Sequence, residues 1–424
     1  MNPQAEHLNN ILARTKVLDL LSVRGKDIYF PREGILAQAA EARGKSINAT
    51  IGIALGDDKK PLRLRQIEKR ILLLPEDVFS YASSYGKPEL RAIWKELMQK
   101  KNPSLKAKTS SPVVTCGLTH GLSMTGYLFI NPGDSVLMPD MLWGNYRLIL
   151  EHGYGAKIHT FRTFSSGGFD INAMKKGLEA RPKALLLNFP NNPSGYTPTI
   201  WEAHQIADAI KWHGEQGNTL IVVLDDAYFG LVYEDGIYRE SLFSLLAGIH
   251  ENILAVKLDA ITKEDYAWGF RVGFITYGMK NADDNIFAAL EEKTAGAVRG
   301  SISNAPHISQ SLALQAFSSP GYWQEKEAKF KLLKSRHDEV RTVLEDDAYS
   351  GHFKALPFNS GYFICIELKQ DAEEVRQILL KKYDTGVISI GNLLRIAYSS
   401  VPKKDIRKLF DNIRRACMDA AEKS

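Results

Sequence analysis

From about Thr115 onward, short apolar runs alternate with stretches whose apolar residues recur every three to four positions. That pattern predicts repeated strand-then-helix units, hence an α/β domain with a largely parallel sheet. Strands are predicted at 113–116, 135–138, 157–161, 184–188, 220–224, 253–256 and 272–277. Among the intervening helices, 200–216 carries Trp201, Ile206, Ile210 and His213 at helical spacing. After Pro320 the texture changes to a long charged helix at 324–344, strands at 353–356, 362–368 and 394–398, and a closing helix. That last helix places Ile406, Leu409, Phe410, Ile413 and Cys417 on one face and Lys and Arg on the other.

The first 45 residues read as helical and then irregular, with Leu8, Ile11, Leu12, Val17, Leu18, Leu20 and Leu21 ahead of a loop through Gly25, Pro31 and Gly34. A short strand at 47–52 follows and ends in Gly52, where a missing side chain permits close approach of a ligand or simply a turn. The expected organisation is an arm (1–46) joining a smaller C-terminal α+β domain (321–424), with a larger three-layer domain (47–320) between them, its mixed sheet mostly parallel.

Composition narrows the classes. With 424 residues, 44% of them hydrophobic, the chain is long enough to bury a large core. Lys and Arg total 54 against 49 Asp and Glu, spread without a basic tail, so no nucleic-acid partner is expected. Cys116, Cys365 and Cys417 are odd in number and far apart, which fits a reducing compartment. No apolar run is long enough to span a bilayer and the N-terminus lacks a signal-peptide layout, so the expectation is a cytoplasmic protein with no membrane partner.

Candidate chemistry gathers at predicted strand ends. Lys263 follows the apolar run at 253–256, and a lysine among apolar neighbours is disfavoured in its charged form and becomes a nucleophilic amine. Alone, that stretch suits an ordinary surface-loop lysine better, and it is the partners elsewhere in the chain that favour the nucleophile. Asp225 and Asp226 end an apolar strand, and one of them is expected to face the crevice beyond its carboxyl end, where a cofactor's protonated ring nitrogen would balance it; a helix N-cap or a structural ion pair is the alternative. The segment 113–121 reads as a strand, a glycine turn and a helix start, and a helix N-terminus suits a phosphate. The GxGxxG and Walker A patterns are absent, so the phosphate belongs to another kind of ligand. The 189–195 segment (FPNNPSG) is a turn that holds Asn192 next to a proline, and Trp143 offers a ring for stacking.

Taken together and in this order, from Ile47 to Ser399, these motifs resemble the class I/II aminotransferases of the aspartate aminotransferase fold, which work with pyridoxal 5′-phosphate (PLP). The resemblance implies that Lys263 forms the Schiff base with the cofactor aldehyde and that Arg271, eight residues on, holds its phosphate. It implies that Asp225 pairs with the ring nitrogen, that Tyr228 and Asn192 flank the 3′-oxygen, and that Trp143 stacks on the ring. Gly117, Leu118 and Thr119 match the phosphate turn. Arg395 matches the clamp for the substrate α-carboxylate, with Gly52 beside it and Asn192 in contact. Tyr81 resembles a tyrosine that crosses to the neighbouring subunit's phosphate, which implies a homodimer with shared sites.

One position departs from the family pattern. Ala260 stands where a phosphate-binding serine is usual, so no hydroxyl contact is expected there. Arg299 occupies the place of the arginine that reads a distal carboxylate in dicarboxylate-specific members; an interface salt bridge is the alternative. The activity the resemblance implies is ping-pong transfer of an amino group to a 2-oxo acid such as 2-oxoglutarate. The same residues also suit a lyase acting at Cβ, and the fold occurs as a ligand sensor.

Overall fold

The computed structural model describes residues 2–14, 18, 21–29, 34–69 and 73–422. Its centre is a seven-stranded sheet built from β1 (Val113–Thr115), β2 (Ser135–Pro139), β3 (Lys157–Phe161), β4 (Ala184–Asn188), β5 (Leu220–Asp225), β6 (Ile253–Ala260) and β7 (Gly273–Gly278). The spatial order is β1-β7-β6-β5-β4-β2-β3, and only β7 runs antiparallel to its neighbours. This is the mixed, mostly parallel α/β sheet that the pattern predicts. Both faces are covered, which is why β4 and β5 are buried along their whole length. Helix Gly117–Phe129 packs against β6 and β7, while helices Ile171–Glu179 and Ile200–Glu215 cover the other face. Within the latter, Ile206, Ile210 and His213 are buried, whereas Trp201 points to solvent, against the helical pattern read for it.

The largest departure from the expected strands is β6, which does not stop at Val256 but continues to Ala260 through Lys257 and Asp259. Alternation puts those two charges on one face, where Lys257 Nζ lies 2.6 Å from Asp226 Oδ2 and 2.7 Å from Asp259 Oδ2. Trp94 Nε1 donates to Asp259 at 3.1 Å, and the same indole stacks on Phe274 of β7 at 4.1 Å. Removing the fully buried Trp94 side chain would cost about 3–5 kcal/mol, the usual penalty for a large aromatic in a core. Lys263 is therefore not at the end of a strand. It sits in a four-residue helix, Ile261–Glu264, that begins directly after β6.

A second, antiparallel sheet holds β8 (Phe353–Ala355), β9 (Ile364–Leu368), β10 (Ile388–Ile390) and β11 (Leu393–Ile396) in the order β8-β9-β11-β10. Helices Tyr322–Leu344, Ala372–Lys382 and Lys403–Ala421 pack with it, the last through the predicted apolar face. Near the N-terminus, helices Pro3–Leu12, Val23–Asp27 and Ile35–Glu41 form. Gly25 lies inside the second of these and not in a loop; Val17, Leu20 and Pro31 lie outside the described residues. Helix Ile35–Glu41 packs on β10, whereas Asp27 meets His152 Nδ1 at 2.6 Å. The strand expected at 47–52 is only Ile47–Asn48, paired in parallel with Thr385–Gly386, so Gly52 lies beyond it. Among the described residues, no helix is long and apolar enough to cross a membrane.

Candidate active site

Beyond the carboxyl ends of β4 and β5 lies a cavity of about 320 Å³. Lys263, Asp225, Tyr228, Asn192, Trp143, Leu118, Thr119, Gly52 and Arg395 all line it, although they come from segments spread over more than 340 residues. The register explains part of this. Asp225 is the last residue of β5 and pairs with Leu258, which leaves five residues to carry the chain on to Lys263.

Asp225 is buried and held from three sides. Tyr146 donates its hydroxyl to Oδ2 at 2.6 Å, Ala227 N–H donates to Oδ1 at 3.0 Å, and Asn188 Nδ2 donates to the Asp225 carbonyl at 2.8 Å. Burial raises the Asp225 carboxyl above its ordinary value, opposed by the Tyr146 hydrogen bond and the charge of Lys263. Burial lowers Lys263, opposed by Asp225 and assisted by the Arg271 charge. Lys263 Nζ stands 4.9 Å from the Tyr228 ring centre and, among the described residues, makes no ion pair.

Arg395 approaches from the other sheet. It is buried between Cys365 and Ile388 on β11, with its guanidinium 4.6 Å from the Phe363 ring. Its acceptors are neutral: the Thr50 carbonyl at 3.0 Å and Asn192 Oδ1 at 3.4 Å; Nε has none among the described residues. A buried cation without a carboxylate is costly, and the imbalance is relieved when an anion enters.

Arg271 takes a left-handed conformation (φ +56°), and its guanidinium lies against the turn that starts helix Gly117–Phe129. A Cβ at Gly117 would fall 2.5 Å from Arg271 Nη2, and one at Gly273 would fall 2.6 Å from the Gly117 carbonyl carbon. Both positions therefore need glycine for the arginine and the turn to meet. Ala260 is buried at the end of β6 with no hydroxyl to offer, and the Thr262 hydroxyl is buried without a partner among the described residues.

Tyr81 and Arg299 are not in this cavity. Both are exposed, and together they line a separate groove of about 870 Å³ with Glu292 and Asn304. Conversely, Tyr146, Asn188, Phe363, Ile35 and Ala39 line the cavity without having been singled out in the sequence. Asn188 carried the same signal as Asp225, a polar residue ending an apolar strand, and Tyr146 lies three positions after Trp143.

The family model for aminotransferase class I and II matches residues 45–413. The chain belongs to that family. A curated relative, the aspartate aminotransferase of Bacillus sp. (strain YM-2), is 23% identical over 364 residues, covering 85% of this chain and 86% of its own. Among solved structures, an aminotransferase from Anaerococcus prevotii superposes with a TM-score of 0.83 at 22% identity, covering 93% of this chain and 98% of its own. The Pyrococcus horikoshii kynurenine aminotransferase, solved with PMP, gives 0.80 at 16% identity over 96% and 99%. At those identities the structures show the aminotransferase fold alone. Class I/II aminotransferases are PLP-dependent transferases, and PLP is this aminotransferase's cofactor. The site fits it: the glycine-lined turn with Arg271 suits a phosphate, and three cations (Lys263, Arg271, Arg395) face one carboxylate in and beside the cavity.

Proposed function

We propose that this aminotransferase moves the amino group of an acidic amino acid to a 2-oxo acid, 2-oxoglutarate being the acceptor, by a ping-pong mechanism in a homodimer. The observation that carries this reading is that Lys263, Asp225 and Arg395 share one cavity while none of the three is in an ion pair among the described residues.

Arg271 and the Gly117–Thr119 turn would hold the cofactor phosphate, Asp225 its ring nitrogen, Tyr228 and Asn192 its 3′-oxygen and Trp143 its ring face. When bound, PLP supplies an electron sink that lets a substrate Cα–H bond break. Asp225, fixed by Tyr146 and Ala227, keeps negative charge where positive charge must be held. Arg395 takes the substrate α-carboxylate and so orients the Cα–H bond toward the lysine. Lys263 Nζ, held below the ordinary lysine value by burial, takes the Cα proton and later returns one. The acidic donor rests on Arg299, and the shared site on Tyr81; both are exposed in one groove, where a second copy can be reached.

The test is a single-turnover assay over a panel of amino acids without acceptor. Stoichiometric oxo acid from aspartate or glutamate is expected, with multiple turnover of aspartate only after 2-oxoglutarate is added. Release of an elimination product and ammonia would contradict aminotransfer. Equal rates for acidic and apolar donors, unchanged in Arg299→Gln, would contradict the acidic donor.

A further inference from the structure

The two residues that follow Lys263 are carboxylates, and both are buried, Glu264 at 4% exposure and Asp265 at 0%. Glu264 Oε1 accepts from Lys101 Nζ at 2.7 Å and from Lys326 Nζ at 2.9 Å. Asp265 Oδ1 accepts the Tyr322 hydroxyl at 2.6 Å and lies 3.2 Å from Lys326 Nζ. Lys101 ends helix Pro88–Lys101, while Tyr322 and Lys326 begin helix Tyr322–Leu344. Two long helices therefore converge on the four-residue helix that carries Lys263.

Such a turn needs outside support. One helical turn has no stability of its own. The chain after it is left-handed at Tyr266 (φ +57°) and again at Arg271, conformations that non-glycine residues keep only when their surroundings enforce them. The Lys263 backbone carbonyl receives one further bond, from the Tyr362 hydroxyl at 3.3 Å.

We propose that Glu264, Asp265, Lys101, Lys326 and Tyr322 form a positioning cluster that fixes the turn carrying Lys263 and presents no net charge beside its amine. The proposal rests on the reading of Lys263 as the reacting amine. Two carboxylates meet two ammoniums, so the cluster is balanced within itself. Burial would raise Glu264, yet Lys101 and Lys326 carry it below the ordinary range; burial raises Asp265, and the carboxylates hold Lys326 well above its own. The other ionisable groups around Lys263 are then Asp225, Tyr228, Tyr146 and Arg395 in its cavity, Arg271 beside it and Tyr362 at its carbonyl, with Tyr266 beside the cluster. Taking away one ammonium leaves a buried negative excess next to Lys263, which favours its protonated form.

The experiment compares wild-type holoenzyme with Lys326→Met, the charge-balanced double variant Lys326→Met/Asp265→Asn, Tyr322→Phe and a Lys263→Ala control. Three quantities are read: the pH midpoint of the absorbance band of lysine-bound cofactor, kcat and KM, and hydrogen exchange of amides 261–266 in cofactor-free protein. Lys326→Met is expected to raise the midpoint by about one unit. The same negative excess acts on the free amine in the substrate complex, so at a pH below that amine's own midpoint roughly tenfold lower kcat is expected, with KM changed by less than about twofold. The double variant is expected to bring the midpoint back. Lys326→Met with midpoint and kcat unchanged and only lower thermal stability overturns the proposal. If Lys326→Met does not fold, Tyr322→Phe decides: faster exchange at 261–266 supports positioning, and unchanged exchange overturns it. A wild type without the band would overturn the Lys263 assignment instead, and exchange in the cofactor-free variants would still decide the positioning.

Discussion

Asp225 and Asp226 are neighbours in the chain and carry the same group, yet they end in opposite electrostatic settings. Asp226 turns to the far face of the sheet, where Lys257 and the Ser241 hydroxyl each meet Oδ2 at 2.6 Å and Asp259 completes a closed cluster. Asp225 turns into the cavity, where Tyr146 is its strongest partner and the nearby Lys263 is left unpaired. Lys257 is driven above the ordinary lysine value by its two carboxylates despite burial; Lys263 is driven below it by burial. The difference separates scaffold from site. A buried charge whose partners are all present holds the fold together, and one whose partners are incomplete is poised for something that arrives from outside.

That contrast is broken most directly at Lys263. Lys263→Ala should reduce kcat by roughly 10⁴-fold or more, the scale for deleting a covalent catalytic group, with little change in denaturation midpoint. Asp225→Asn should lower kcat on the order of 10²–10³-fold, as loss of one fixed electrostatic contact does, while circular dichroism and stability stay near wild type.

The mirror experiment at the neighbouring cluster is Lys257→Met. It leaves Asp226 and Asp259 buried without their cation and should destabilise by about 3–5 kcal/mol in urea unfolding, with kcat of the folded fraction retained. If Lys257→Met lost activity without losing stability, scaffold and site would not be separable in this way. If Arg395 holds the substrate carboxylate as proposed, Arg395→Ala should cost about 2–5 kcal/mol in kcat/KM, roughly 30-fold or more.

The smallest effect concerns a pair between a buried arginine and a half-exposed carboxylate. Arg376 beside Glu373 holds that carboxyl down at about 2 against an ordinary 4.5, with Ser389 and Gln377 assisting. A depressed carboxylate adds stability above its unfolded value and loses it as pH falls, so the contribution should fade between about pH 4.5 and 2. Glu373→Gln should remove that part of the acid dependence, read as the difference in unfolding midpoint between the two proteins across the window.

Much of this was legible in the chain because strand ends and turn residues are local signals. The large-sheet strands, the Gly117 turn, the polar ending at Asp225 and the proline-flanked turn at Asn192 announce themselves by composition. What was hidden depends on distant partners. The charges at Lys257 and Asp259 looked like the end of β6, because nothing local shows that Lys257 is paired with Asp226, thirty-one residues before it. Ile35 and Ala39 reach the cavity only because helix Ile35–Glu41 packs on β10, itself a strand that the pattern did not reveal. Tyr146 precedes a π-helical stretch, Arg147–Gly153, whose register no 3.6-residue periodicity predicts.

Lys263 is proposed as the group that holds the cofactor and moves the proton. That role is tested most directly by the absorbance spectrum of purified wild type and Lys263→Ala, each loaded with PLP and then exposed to aspartate or glutamate. A lysine-bound band is expected in wild type that bleaches with the amino acid and returns with 2-oxoglutarate, and no such band in the variant. A band that survives Lys263→Ala, or a wild-type band untouched by every amino acid tried, would contradict it.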